Sequence, residues 1–153
     1  MLTNPTRYGL IACRYLVWGW LNGTWLTAPD IAWRYGMNVR ALSPALQRLV
    51  MAGILRSRRG GTRPGFMLSR PPEKVTMLEV LRALEGEYHM DCCRSVIPDL
   101  RCACPTGDCR VCSVFRDVLN DLRARLAGVS LAEHASTEEF SGGGKTSLHP
   151  LDR

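Results

Sequence analysis

Apolar residues recur three and four positions apart at Tyr8, Ile11, Ala12, Tyr15 and Leu16, the period of a helix with one face turned inward. Asn4-Pro5 reads as a cap followed by proline at the first helical position, so the pattern predicts a helix over Pro5 to Leu21. Its opposite side carries Leu10, Cys13, Val17 and Trp20. A helix apolar nearly all round has to be covered on two faces, and a helix from a second copy is one way to do it. Thr27-x-x-Asp30 then opens a short helix to Tyr35 with a capping box, and Gly36 ends it as a left-handed residue. Asn38 caps the next helix, which has Leu42, Leu46, Leu49 and Val50 on its apolar side and Gly53 at its close. Helix, glycine turn and helix make a helix-turn-helix. Pro44 conflicts with this, because an interior proline costs about 3 kcal/mol; either the helix kinks there or Ser43-Pro44 is its true start.

The pattern changes to two strands, Ile54 to Arg59 and Phe66 to Leu68, around the breaker-rich tip Gly60-Gly61-Thr62-Arg63-Pro64-Gly65. That is a β-wing, with Arg56, Arg58, Arg59, Arg63 and Arg70 on or beside it. Thr76-x-x-Glu79 opens another capped helix, whose Met77, Val80, Leu81 and Leu84 face a core until Gly86. Further on, Val111, Val114, Phe115, Val118, Leu119, Leu122 and Leu126 keep a stripe along one long helix ending near Gly128. It packs either on the first helix of its own domain or on its twin, and its length beside a small winged domain favours a homodimer. Beyond His134 the composition turns to Ser, Thr, Glu and Gly, and the tail is expected to be disordered. The expected fold class is mainly α with a small β-wing. Its parts are a winged helix-turn-helix domain over 1–86, a cysteine-rich loop over 87–109, a dimerisation helix over 110–133 and a tail over 134–153.

Six of the seven cysteines lie between Cys92 and Cys112, at Cys92, Cys93, Cys102, Cys104, Cys109 and Cys112. Thiolate is a soft ligand that selects zinc, copper(I) or iron–sulfur clusters. A disulfide knot is the competing reading, but it belongs to small secreted domains that cannot build a core. With 153 residues, 46% of them hydrophobic, this chain has material for one core. The apolar stretch Tyr8 to Leu21 is broken by Arg14 and lacks a basic leader, so neither a secretory signal nor a membrane span is expected. A reducing cytoplasm follows, where clustered cysteines bind metal or sense redox change more often than they staple loops. Cys13 is expected to be a core residue or a dimer contact.

The net charge is +6, and the only lysines are Lys74 and Lys145. Guanidinium grips phosphate in a bidentate fork, so an arginine-rich chain carrying a winged helix is expected to bind double-stranded DNA. The candidate contacts are Asn38, Arg40, Ser43, Gln47 and Arg48 near the recognition helix and Arg58, Arg59 and Arg63 in the wing, with Arg7 reaching the backbone. His89, His134 and His149 are scattered, and no nucleophile–base pair or phosphate loop stands out, so neither an enzyme nor a small-molecule substrate is expected. Two other roles fit the thiols. Arg94, Arg101 and Arg110 would favour thiolate in a thiol switch, and Cys102-x-Cys104 with Cys109-x-x-Cys112 would suit structural zinc.

The order of helix, helix-turn-helix, arginine-rich wing, capped helix, cysteine loop and long helix resembles the IscR and NsrR type of bacterial transcription regulators, the Rrf-two family. The likeness runs from about Leu2 to Glu133 and is sharpest in Leu2-Thr3-x-x-x-Arg7-Tyr8-Gly9, in Glu79 to Gly86 and in the placement of the cysteines. It implies a homodimeric winged-helix DNA-binding protein whose operator affinity is set by an iron–sulfur cluster, [2Fe-2S] or [4Fe-4S]. By position, the family's three cysteines fall on Cys93, Cys102 and Cys109, with Cys92 and Cys104 as alternates. Cys112 stands where the IscR branch places a histidine, and would give a fourth ligand. The NsrR branch takes a carboxylate from the partner's first helix; the matching residue here is Arg7, which cannot ligate. Ser43 replaces an acidic residue that helps read bases in IscR, so the operator sequence does not carry over.

Overall fold

The computed structural model describes residues 2–86 and 110–135. The elements are α1 (Asn4–Leu21), α2 (Ala28–Tyr35), α3 (Val39–Met51), β1 (Leu55–Arg58), β2 (Gly65–Leu68), a 3-10 turn (Pro72–Lys74), α4 (Met77–Glu85), α5 (Arg110–Ala127) and α6 (Leu131–Ala135). The mainly helical class with a two-stranded wing is the one expected.

Helix α1 is the axis of the core. It begins one residue earlier than expected: Thr3, in extended backbone, is the cap, and Asn4 is already helical. The group that satisfies this end comes from far along the chain. The Glu85 carboxylate accepts from the Thr3 amide at 2.7 Å and from the Thr6 hydroxyl at 2.5 Å, and a negative charge there is favoured by the helix dipole. These hydrogen bonds, Thr6 first and then Thr3, hold the Glu85 carboxyl below the usual carboxylate range. While Ile11 and Leu21 stay exposed, Leu21 to 70%, α3, α4, α6 and β2 of its own chain pack around α1. Leu16, Ala12 and Cys13 are buried among them. Cys13 is therefore a core residue, its thiol pushed up to about 12 by burial. Tyr15 stacks on Trp18 with ring centroids 5.1 Å apart and meets Tyr35 edge-on at 6.3 Å, which ties α1 to α2.

The helix-turn-helix forms as its local signals dictate. Thr27 and Asp30 make the reciprocal capping box of α2. Gly36 takes φ +64°, and the Met37 amide then closes the turn on the Ala32 carbonyl at 2.8 Å. Asn38 Oδ1 accepts from the Arg40 amide at 2.8 Å to start α3. Helix α3 runs unbroken from Val39, so Ser43-Pro44 is not its start. Proline at 44 has no N–H to donate to the carbonyl of Arg40, four residues back, and both residues are exposed, so the side of α3 that loses this bond faces solvent.

In the wing, Leu55 pairs with Leu68 and Arg58 with Gly65. A third segment joins it: Leu26 bridges Phe66, donating to its carbonyl at 3.1 Å and accepting from its amide at 2.8 Å. Gly65, expected in the tip, is the first strand residue. Its φ is +145°, and a Cβ there would lie 2.8 Å from the Leu26 carbonyl oxygen, so only glycine lets this segment approach.

Thr76 and Glu79 cap α4 as expected, and Glu79 also pairs with Arg70. The end of the chain differs from expectation. The stripe does stop near Gly128, but a second helix follows within the span assigned to one: α6 includes His134 and Ala135, with Leu131 and Ala135 buried. Backbone bonds from Met77 to Val129 at 2.9 Å and from Leu131 to Val75 at 2.8 Å bring this segment back to the winged domain. Ser130 and Glu133 supply its capping box. Among the described residues no helix is long and apolar enough to cross a membrane.

Candidate nucleic-acid interface and cysteine segment

Helix α3 buries Leu42, Ala45, Leu46 and Leu49, which leaves the opposite side to solvent. Arg40, Pro44, Gln47 and Met51 follow one another there at helical spacing and are exposed, Met51 to 87%. Ser43 lies half-buried beside them, its hydroxyl donating to the Val39 carbonyl at 2.8 Å. Asn38 is exposed, with its carbonyl oxygen engaged in the cap. Arg48 is exposed too, yet it points sideways: its Nη1 donates to the Leu84 carbonyl at the end of α4, 2.6 Å away. Arg40 and Gln47 are thus the polar centre of the face, and Arg48 fastens its edge to α4. Met51 and Pro44 add apolar contact area that polar-residue reasoning passed over.

The wing extends this surface. Arg58, Arg59 and Arg63 are exposed, as is Arg7 in the first turn of α1. Trp25, just before the Leu26 bridge, lies under two wing arginines: the Arg58 guanidinium carbon is 4.5 Å from its ring centroid and that of Arg56 is 5.2 Å away. Nothing local in the sequence marks Trp25, since both partners sit more than thirty residues ahead. Between Ile31 and Arg70 there are eight arginines and no Asp or Glu, so these 40 residues hold more positive charge than the whole chain's +6. A potential of one sign on a helix face and hairpin attracts a polyanion.

Cys92, Cys93, Cys102, Cys104 and Cys109 lie outside the described residues, and Cys112 falls in the first turn of α5. Among the described residues no group of three His, Cys, Asp or Glu could hold a metal ion. What the structure does give is the root of the cysteine segment. It leaves the winged domain at Gly86, next to Glu85 on the α1 cap and Leu84 on Arg48 of α3. It rejoins at α5, where Val114, Phe115, Val118 and Leu122 are exposed, Val114 and Val118 to about 60%.

A family profile described as Rrf2, iron-dependent transcriptional regulator, matches residues 2–136. This chain belongs to the Rrf2 family. Members of the Rrf2 family are DNA-binding transcriptional regulators and not enzymes, and this Rrf2 protein is a transcriptional regulator. It is 32% identical to Protein aau3 of Rhizobium meliloti (strain 1021) over 133 residues, 85% of this chain and 81% of that one. Its fold is that of T. potens IscR, at a TM-score of 0.70 and 21% identity, with 95% of this chain and 93% of that one covered. Staphylococcus aureus CymR in its oxidized form is similar as well, at a TM-score of 0.66 and 22% identity, covering 89% and 96%.

Proposed function

We propose that this Rrf2 regulator is a homodimer whose affinity for a double-stranded DNA operator is controlled by an iron–sulfur cluster held in the cysteine segment. The observation that carries the reading is where that segment sits. Five thiols lie between the end of α4, bonded to the recognition helix through Arg48 and Leu84, and the start of α5, and the sixth, Cys112, falls in the first turn of α5. Cys93, Cys102, Cys109 and Cys112 would be the ligands, with Cys92 and Cys104 in reserve, and four thiolates suit either a [2Fe-2S] or a [4Fe-4S] centre. Such a cluster supplies a centre that responds to iron supply, redox state or nitric oxide. Arg7 offers no carboxylate from α1, so the donors come from the segment itself.

The residues around the segment carry its state to DNA. A shift at Gly86 acts on Leu84 and Glu85, and so on α3 through Arg48 and on α1 through Thr3 and Thr6. Arg40 and Gln47 enter the major groove with Asn38 and Ser43 beside them, while Arg48 braces the helix at its edge. Arg58, Arg59, Arg63 and Arg7 meet phosphate. The exposed stripe of α5 joins two copies, and two recognition helices must then match half-sites about one DNA turn apart, so a small rotation changes affinity strongly. A regulator of this kind works in the cytoplasm, on chromosomal DNA.

The test is anaerobic purification with iron and sulfide counts and an electron paramagnetic resonance spectrum, followed by operator selection from fragmented genomic DNA and titration of holo and apo protein. Iron and sulfide in equal amounts, with different operator affinity in the two forms, is the expected result. Colourless protein that takes up neither on reconstitution overturns the cluster.

A thiol–disulfide switch on the same scaffold is the second reading, favoured by the likeness to a CymR solved in an oxidized form and by Arg94, Arg101 and Arg110 among the thiols. Mass mapping of free and bridged cysteines under peroxide separates the two.

A further inference from the structure

We propose that Trp25 is a positioning residue for DNA binding: its ring holds Arg56 and Arg58 ready for phosphate before the wing touches DNA. The inference rests on the wing being a DNA contact, and it adds a residue outside both the recognition helix and the wing.

Three observations carry it. First, the backbone of Trp25 is fixed, because Leu26 next to it is paired with Phe66 of β2 in both directions. Second, Arg56 and Arg58 are two residues apart on β1 and share one side of the hairpin. Both guanidinium carbons lie over the Trp25 ring, at 5.2 and 4.5 Å, and Arg56 is further steadied by a contact from its Nη2 to Met67 Sδ at 3.3 Å. Third, the stretch from Ile31 to Arg70 that holds both arginines carries no Asp or Glu of its own. An aromatic face holds a guanidinium without consuming its N–H donors, which an ion pair with Asp or Glu would engage. The arginines are thus oriented and still able to bind.

Ordering a long side chain on binding costs a few-fold to about tenfold in affinity when nothing orders it beforehand. Removing the ring removes that preparation and leaves the charge. The two effects separate in a salt titration, because the slope of log affinity against log salt counts phosphates neutralised.

The experiment measures binding of the full-length protein to a mixed-sequence DNA duplex across a range of salt. Trp25→Leu is expected to weaken binding about 3- to 30-fold with an unchanged salt slope, and Trp25→Phe, which keeps a ring, to restore most of the loss. Arg58→Gln is expected to lower the slope by about 0.9. In an Arg56→Gln, Arg58→Gln background, Trp25→Leu should have no further effect. A loss that persists in that background is damage to the fold and overturns the proposal. If Trp25→Leu binds like wild type while Arg58→Gln does not, the proposal fails and the wing assignment stands. If the arginine variants also bind like wild type, both fail. A readout that needs no variant fold is the nuclear magnetic resonance spectrum of wild-type protein. The Arg58 side-chain protons are expected to be shifted upfield by the ring current, and unshifted signals overturn the proposal.

Discussion

Helices α1 and α5 are each 18 residues long and each carries an apolar stripe, yet the chain treats them in opposite ways. α1 has apolar residues on both sides and is wrapped by α3, α4, α6 and β2. α5 packs chiefly on α4, and Val114, Phe115, Val118 and Leu122 remain exposed. The difference lies in the other face. α5 carries Arg116, Asp117, Asn120, Asp121, Arg123 and Arg125 opposite or beside its stripe, with an Arg125–Asp121 ion pair at 2.8 Å in solvent, so only one side of it calls for cover. A helix apolar nearly all round is a core helix, and the fold covers most of it from within, leaving Ile11 and Leu21 exposed. A helix with one uncovered stripe is the surface on which the proposed homodimer rests.

The comparison breaks most visibly at α1. Leu16, 1% exposed, is expected to cost about 2–5 kcal/mol of stability when replaced by alanine, measured by urea denaturation. A loss well under 1 kcal/mol would mean that α1 is not the packing axis. The matching change in α5 is Val118→Asp. It should leave the thermal midpoint of the winged domain nearly unchanged while weakening self-association by about 30-fold or more, seen by sedimentation equilibrium. Operator binding should fall with it, since one subunit reaches one half-site. Unchanged association would move the interface away from this stripe.

What could be read from the sequence was local. The capping boxes Thr27–Asp30 and Thr76–Glu79, the Asn38 cap and the Gly36 turn each lie within a few residues, and each formed. The contacts that organise the site span longer distances: Glu85 on Thr3 and Thr6, Arg48 on Leu84, Leu26 on Phe66, and Trp25 under Arg56 and Arg58. No periodicity announces them. Arg48 shows the consequence, since its place on the recognition helix says nothing of its bond to the Leu84 carbonyl on another helix. Pro44 shows the reverse, a local penalty that an exposed position lowers enough for α3 to run through it. The Ser130–Glu133 box was a local signal, but it opens only five helical residues at the edge of a polar tail. The cysteines propose donors by their spacing alone, and all but Cys112 lie outside the described residues.

The smallest expected effect probes the last layer over α1. His134 of α6 lies with Nε2 3.1 Å from the Leu10 carbonyl of α1, a contact that requires the ring to donate. Burial lowers its pKa, the bond to Leu10 works the other way, and the nearby Arg14 lowers it further. The folded pKa is therefore below the unfolded value of about 6.5, and the folded chain binds fewer protons than the unfolded one in the window beneath it. The contribution of His134 is present above pH 6.5 and is lost as pH falls through the folded pKa. Wild type should thus lose stability between pH 7 and 5.5, and His134→Gln should flatten that part of the profile. Glu85 acts in the same direction but at lower pH, because it titrates below the usual carboxylate range. Equal slopes for wild type and His134→Gln would show that α6 does not seal α1, and the cover of the core helix would then end at α3, α4 and β2.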